Sequence, residues 1–263
     1  MRMLSEVVGL ARMAGSSVMD VYSRPFSVKY KEDSSPLTEA DSSSHRVIAD
    51  GLPAIAPGVP VISEEGEGVP FEARRGFERF WLVDPLDGTK EFIRRNGEFT
   101  VNIALIEDGA PVMGVVYAPA CGLLYYAEKG GGAFREKAGG PPERIRSGLP
   151  GAGVRAVVSR SHPDAHVEAF LRGYDVSSRV EAGSSLKFCI VAEGRADLYP
   201  RFGETWEWDT AAGHAVAAEA GAAVTLPDGS PLLYNKESLK NPGFIVASAG
   251  LRVKPYQPAQ ISS

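Results

Sequence analysis

The run WLVDPLDGTKEF, residues 81–92, constrains this chain more than any other. An apolar, strand-like stretch, Trp81-Leu82-Val83, leads straight into two aspartates, Asp84 and Asp87, with Pro85 and Leu86 between them and Gly88, Thr89 and Lys90 behind. Carboxylates this close repel each other unless positive charge lies between them. Pro85 and Leu86 predict a turn that can aim the Leu86 carbonyl at the same centre as the two acids. Gly88 permits close backbone approach, and a helix starting near Thr89 offers free N–H groups and partial positive charge to a phosphate. A pair of hard cations, which take carboxylate, carbonyl, water and phosphate oxygens, would resolve the repulsion.

Two further acids fit the same centre. Glu64 ends the short apolar run Val59 to Ile62 in PGVPVISEEGEG, and Asp209 precedes a helix rich in small residues predicted over 210–220, in the N-cap position. More than a hundred residues separate Asp87 from Asp209, so only the fold can assemble such a site. Each piece also has a plainer explanation. A D-x-x-D on a turn suits a solvated loop, and Asp209 alone is an N-cap worth about 1 kcal/mol. Asp41 alone reads as another N-cap, of a helix predicted over 41–52. It is the joint occurrence that points to a site. Gly130 to Gly132 lacks the following Lys-Ser/Thr of a phosphate loop and is flanked by strand-like runs, so it predicts a hairpin. His45 and His214 fall inside helices and are expected to pack or face solvent.

The net charge of −5 on 263 residues excludes a general electrostatic grip on nucleic acid or an acidic membrane. An anionic substrate must therefore be held by local cations. Cys121 and Cys189 have no metal-type spacing, which argues against a disulfide framework or zinc site and fits a reducing cytoplasm. Near the N-terminus, Leu4, Val7, Val8, Ala11, Ala14, Val18 and Val21 recur at helical spacing with Glu6, Arg12 and Asp20 among them. This predicts an amphipathic first helix rather than a targeting segment. No run approaches the roughly 18 apolar residues of a membrane span, and neither a lipid anchor nor a strongly basic amphipathic helix is visible.

Val28 and Tyr30 suggest a short strand, and Asp33-Ser34-Ser35-Pro36 a turn. Residues 99–134 read as a meander of three or four strands, and the Gly/Pro-rich run 139–153 as the change of subdomain. The expected division is an α+β unit over 1–150 carrying most of the acids and an α/β unit over 151–263. In the latter, a strand starts at VRAVVSRSH, a helix is predicted over 186–193, and a strand follows Gly194. The last dozen residues lack periodicity and are expected to fray. Alternating strands and helices argue an α/β layered fold.

VISEEG, WLVDPLDGTKEF and WDTAAGHAVAAEAGA together resemble the three motifs of the inositol monophosphatase superfamily of Mg²⁺-dependent, lithium-sensitive phosphatases. The likeness extends through SPLTEAD, EFTVNIALI, VMGVVYAP, SRSH, GSSLKFCIVAEG and ADLYPRFG to the branch acting on 3'(2'),5'-bisphosphate nucleotides in sulfate assimilation, over roughly residues 5 to 247. It implies a five-layered α/β/α/β/α sandwich of the inositol monophosphatase and fructose-1,6-bisphosphatase type. It further implies two or three Mg²⁺ ions held by Glu64, Asp84, the Leu86 carbonyl, Asp87 and Asp209, with Asp84 bridging two of them. Asp41 would pair with Thr89, which would take or relay the proton of the attacking water without a phosphoenzyme. Candidate substrate-binding residues are Glu64, Asp87, Gly88, Thr89, Lys90, His162, Ser184, Lys187, Arg201 and Asp209; the resemblance places Ser184, Lys187 and Arg201 around the nucleotide. The residues before the Trp-Asp pair in ETWEWDT vary in the family, and the departure is expected to touch the rim of the site.

The expected reaction is hydrolysis of adenosine 3',5'-bisphosphate to AMP and phosphate, with 3'-phosphoadenylyl sulfate as a second substrate. An inositol or sugar phosphate monoesterase, or a silent nucleotide- or Mg²⁺-binding protein, are the alternatives. The protein is expected to be a monomer in the cytoplasm, with association to the inner face of the membrane suggested by some relatives.

Overall fold

A computed structural model describes residues 2–31 and 36–256. The chain runs α1 (Arg2–Tyr22), β1 (Val28–Tyr30), β2 (Pro36–Thr38), α2 (Glu39–Ile55), β3 (Val61–Ser63), α3 (Phe71–Arg74), β4 (Arg79–Asp87), α4 (Thr89–Ile93), β5 (Thr100–Glu107), β6 (Ala110–Ala118), β7 (Leu123–Glu128), β8 (Gly132–Lys137) and β9 (Glu143–Ile145). It continues with β10 (Val154–Ser159), α5 (Ala165–Leu171), β11 (Val176–Ala182), α6 (Leu186–Ala192), β12 (Leu198–Arg201), α7 (Glu207–Glu219), β13 (Ala223–Thr225) and β14 (Phe244–Ala247).

Strands β3 to β9 form one sheet in sequence order, antiparallel except for the β3–β4 pair. The second sheet has the order β11-β10-β12-β14-β13. The chain changes sheets across the Gly/Pro-rich run that begins at Gly139. On β4 and β5, Trp81, Val83, Ile103 and Leu105 pack with α1 and α2, while Phe80, Leu82, Ala104 and Ile106 pack on the opposite side with α6 and α7. Cover on both faces explains why these strands read as continuous apolar runs rather than as alternation. Helix α5 closes the far side of the second sheet through Val167, Phe170 and Leu171 against Val154, Leu198 and Ile245. The layers are therefore α1/α2, seven-stranded sheet, α6/α7, five-stranded sheet, α5, as the resemblance implied.

Helix α7 fits between the sheets because its inner positions are Ala211, Ala212, Gly213, Ala215 and Ala217, all buried. On β6 a Cβ at Gly114 would lie 2.4 Å from the Ala212 carbonyl oxygen. No side chain fits in that gap.

Several expectations are corrected. Strand β4 does not end in a turn at Pro85. It continues to Asp87 through a bulge, since Asp84 opposes Asn102 and Asp87 opposes Thr100 on β5. Three steps on one strand match two on the other, which resets the alternation and returns Asp87 to the face of Asp84. Proline is tolerated there because a bulge releases a ladder donor. Helix α2 begins two residues earlier than expected, with Thr38 as its cap and Asp41 at its third position. Helix α7 likewise begins at Glu207, so Asp209 is its third residue and accepts from the Trp206 backbone N–H at 2.8 Å. Neither aspartate is an N-cap.

The tail is ordered through Tyr256, whose ring lies against Phe170 and Phe202 at 5.3 and 4.9 Å between centroids. Its apolar anchor is too sparse to register as periodicity. The remainder of the tail, and the 33–35 part of the expected turn, lie outside the described residues; Pro36 itself opens β2.

Candidate active site

A cleft of about 720 Å³ is lined by Glu64, Asp84, Leu86, Asp87, Gly88, Thr89, Lys90, His162, Ser184, Lys187, Arg201 and Asp209. Every expected metal and substrate residue therefore reaches one concavity. Asp41 lies behind it, 2% exposed.

Glu64 leaves the end of β3, Asp84 and Asp87 the bulge of β4, and Asp209 the first turn of α7. Glu64, Asp84 and Asp209 each bring a carboxylate oxygen within 4.8 Å of the other two. Burial raises the pKa of Asp84 well above the ordinary carboxylate range, and its strongest charged neighbours, Glu64, Asp87 and Asp209, push the same way. Burial, then Asp87 and Glu64, do the same to Asp209. Asp87 is also raised by burial, against the pull of Lys187 and a hydrogen bond from Ser185. Asp84 and Asp209, made reluctant to ionise by burial and by neighbouring acids, form with Glu64 a cluster that could hold a cation. All donors are hard oxygens, which fits Mg²⁺ rather than a thiophilic metal. The Asp84 carboxylate is oriented by the Leu86 N–H, which donates to Oδ1 at 3.0 Å.

Asp41 and Thr89 are adjacent. Thr38 donates to Asp41 Oδ2 from its backbone N–H at 2.8 Å and from its hydroxyl at 2.7 Å. That leaves Oδ1 toward the Thr89 hydroxyl. Burial lifts the Asp41 pKa to about 6 despite these bonds. The bulge is tied down from behind by Ser44, whose hydroxyl donates to the Pro85 carbonyl at 2.7 Å.

The cationic end of the cleft comes from α6, which carries Lys187, and from β12 of the second sheet, which ends at Arg201. Lys187 and Arg201 are 7% and 8% exposed, unusually low for these residue types. Burial lowers the Lys187 pKa to about 8, with Asp87 resisting and Arg201 adding to the effect. The Lys187 ammonium donates to the Ser184 carbonyl at 2.6 Å, and Arg201 to the Glu204 carbonyl at 3.0 Å. Ser184 adopts a φ of +46°, uncommon without glycine, and its buried hydroxyl has no partner among the described residues. At the mouth, Lys90 Nζ donates to His162 Nε2 at 3.0 Å, and burial together with Lys90 holds the His162 pKa down to about 4.

The sequence reading missed three residues that the site depends on. Lys31 is ion-paired to Glu64 at 3.0 Å and also to Glu65. Burial opposes its charge, but the two glutamates outweigh that and raise its pKa. Nothing in KYKED distinguishes it from a solvated lysine. Asn102 and Ser185 contact Asp87. Asn102 did leave a signal, since an amide inside the apolar run TVNIALI must find a partner.

Layered fold and acidic cleft agree with the sequence comparison: the chain belongs to the inositol monophosphatase family, which matches residues 2–255. Among curated relatives, the 3'(2'),5'-bisphosphate nucleotidase CysQ of Escherichia coli (strain K12) is 52% identical over 249 residues, covering 93% of this chain and 99% of that protein. The protein of the same name from Haemophilus influenzae is 34% identical over 247 residues, covering 93% and 92%. Among solved structures, CysQ from Bacteroides thetaiotaomicron superposes with a TM-score of 0.81 at 42% identity, covering 93% of this chain and 96% of that one. Among the described residues no helix is long and apolar enough to cross a membrane.

Proposed function

We propose that this chain is a Mg²⁺-dependent 3'(2'),5'-bisphosphate nucleotidase that converts adenosine 3',5'-bisphosphate to AMP and phosphate, with 3'-phosphoadenylyl sulfate as a second substrate. The observation that carries the reading is one cleft holding two opposed charge groups. The acids Glu64, Asp84, Asp87 and Asp209 line it together with the buried cations Lys187 and Arg201. A simple monoester needs only the acidic end, whereas a bisphosphate occupies both. The 52% identity to a nucleotidase over nearly the whole chain supports the same substrate class.

In this reading two or three Mg²⁺ ions are held by Glu64, Asp84, the Leu86 carbonyl, Asp87 and Asp209. Bound there, the ions supply Lewis-acid activation of water and neutralise charge on the leaving oxygen. Thr89 Oγ1 gives its proton to Asp41 Oδ1 as it accepts one from the attacking water. A pKa near 6 keeps Asp41 largely ionised, yet basic enough for that transfer. Thr38 keeps the Asp41 carboxylate from rotating away. Gly88, with φ of +89°, lets the backbone ahead of α4 approach the scissile phosphate. Ser184, Lys187, Arg201 and His162, with Lys90 at the mouth, hold the phosphate that is not cleaved. Residues 1–150 in this reading supply most of the cation ligands, the Thr89–Asp41 pair and Lys90, and residues 151–263 the other nucleotide contacts and Asp209. The protein acts as a cytoplasmic monomer and is inhibited by lithium.

The test is phosphate release from adenosine 3',5'-bisphosphate beside inositol monophosphate, with and without Mg²⁺. Faster turnover of the nucleotide, lost in EDTA, is expected. Faster turnover of inositol phosphate would reassign the substrate, and no release from either would leave a binding protein.

A further inference from the structure

Ser185 stands just ahead of α6, 1% exposed and outside the lining of the cleft. Its hydroxyl lies 2.9 Å from Asp87 Oδ2 and 2.7 Å from the Asp209 backbone carbonyl. Asn102 Nδ2 donates to the same hydroxyl at 2.8 Å and reaches Asp87 Oδ2 at 3.3 Å. Asn102 sits on β5 directly opposite Asp84. One buried oxygen therefore joins three segments: β5, the β4 bulge and the first turn of α7.

We propose that Ser185, backed by Asn102, is a positioning residue for divalent cation binding. The pair grips Asp87 by Oδ2 and so fixes the orientation of its carboxylate, while the contact to the Asp209 carbonyl keeps that ligand's helix in register with the bulge. The grip is needed because Asp87 has a competing partner. Lys187 is its strongest charged neighbour, and a carboxylate free to rotate would turn toward that ammonium. Alanine at 185 removes only the hydroxyl and leaves the backbone that opens α6, so the variant reports on the orientation of Asp87. This inference rests on the assignment of Asp87 as a cation ligand.

Mn²⁺ binding to the substrate-free protein, followed by electron paramagnetic resonance, tests it, with Tm measured in EDTA. Ser185→Ala should weaken Mn²⁺ binding by about 10-fold or more, the usual effect of removing a group that orients a metal ligand, with little change in Tm without metal. The Mg²⁺ concentration for half-maximal activity should rise by a similar factor, more than kcat falls. Should Ser185→Ala not fold, Asn102→Ser is read the same way. Wild-type Mn²⁺ affinity in a folded Ser185→Ala protein would overturn the proposal. Asp87→Asn separates the two layers: if it too binds Mn²⁺ like the wild type, the ligand assignment is wrong, whereas loss in Asp87→Asn without loss in Ser185→Ala removes only the role of Ser185.

Discussion

The Thr89 hydroxyl lies 3.3 Å from Asp41 Oδ1 and 3.3 Å from the Leu86 carbonyl oxygen. One proton is thus shared between a buried base and the carbonyl at the crown of the bulge, and neither contact is short. This placement suits the proton transfer proposed for Thr89. Thr89→Ala should lower kcat by about 10²- to 10⁴-fold, the range for loss of a general acid–base group, with KM nearly unchanged. Thr89→Ser should keep most of the activity. Steady-state phosphate release distinguishes the two.

Asp84, if a cation ligand as proposed, sets stability against binding through its burial among acids. It is 1% exposed and its strongest charged neighbours are acids. Asp84→Asn keeps the acceptor for the Leu86 N–H while removing the charge. In EDTA the variant should melt higher than wild type by a few degrees, since about 1 kcal/mol moves Tm by roughly 2–4 °C at this size. Adding Mg²⁺ should raise Tm in the wild type and much less in the variant. A scanning calorimeter reads both.

Arg201 is the residue on which the proposed recognition of a second phosphate can be tested. It lines the cleft yet is not a ligand for the acidic end, so Arg201→Ala should raise KM for adenosine 3',5'-bisphosphate by about 10- to 100-fold, the value of one or two charge-assisted hydrogen bonds. A monophosphate such as 3'-AMP should be hydrolysed at its former rate. Equal loss on both substrates would remove Arg201 from recognition of the second phosphate.

His214 gives the fold an acid sensitivity unrelated to catalysis. It lies within α7, its Nδ1 3.0 Å from the Tyr234 hydroxyl, and burial lowers its pKa from the ordinary 6.5 to about 4. Between these values the unfolded chain binds more protons than the native one, so stability rises with pH through the window and is fully present above 6.5. As pH falls from 6.5 toward 4 the loss reaches at most about 3 kcal/mol. His214→Gln should flatten the slope of unfolding free energy against pH in that window, measured by urea titration in EDTA at several pH values.

The elements legible in the sequence were those whose signal is local. The first helix announced itself through the spacing of Val7, Ala11, Ala14 and Val18, and the hairpin at Gly130–Gly132 through its turn chemistry. Asp84 and Asp87 stood out because repulsion between neighbours demands an explanation wherever the chain goes. What escaped depends on pairing between distant segments. Whether Pro85 makes a turn or a bulge is decided by the register with β5. Lys31 acquires meaning only when the end of β3 is brought to it, and Ser185 only when α7 and β4 meet beside it. Asp41 and Asp209 looked like caps because a carboxylate at the third helical position also accepts from the cap's backbone N–H. An N-cap carboxylate accepts from the N–H groups ahead of it and a third-position carboxylate from the cap behind it, so only the start of the helix tells them apart.

The bare backbone contact between Gly114 and Ala212 makes the acidic site answerable to a residue that never sees it. Asp209 rides on the helix resting against that glycine, so even one methyl group there would lift the helix and carry its carboxylate away from Glu64 and Asp84. Inherited change can therefore silence this chain from a strand whose own side chains touch no substrate, and a survey confined to the cleft would find nothing amiss.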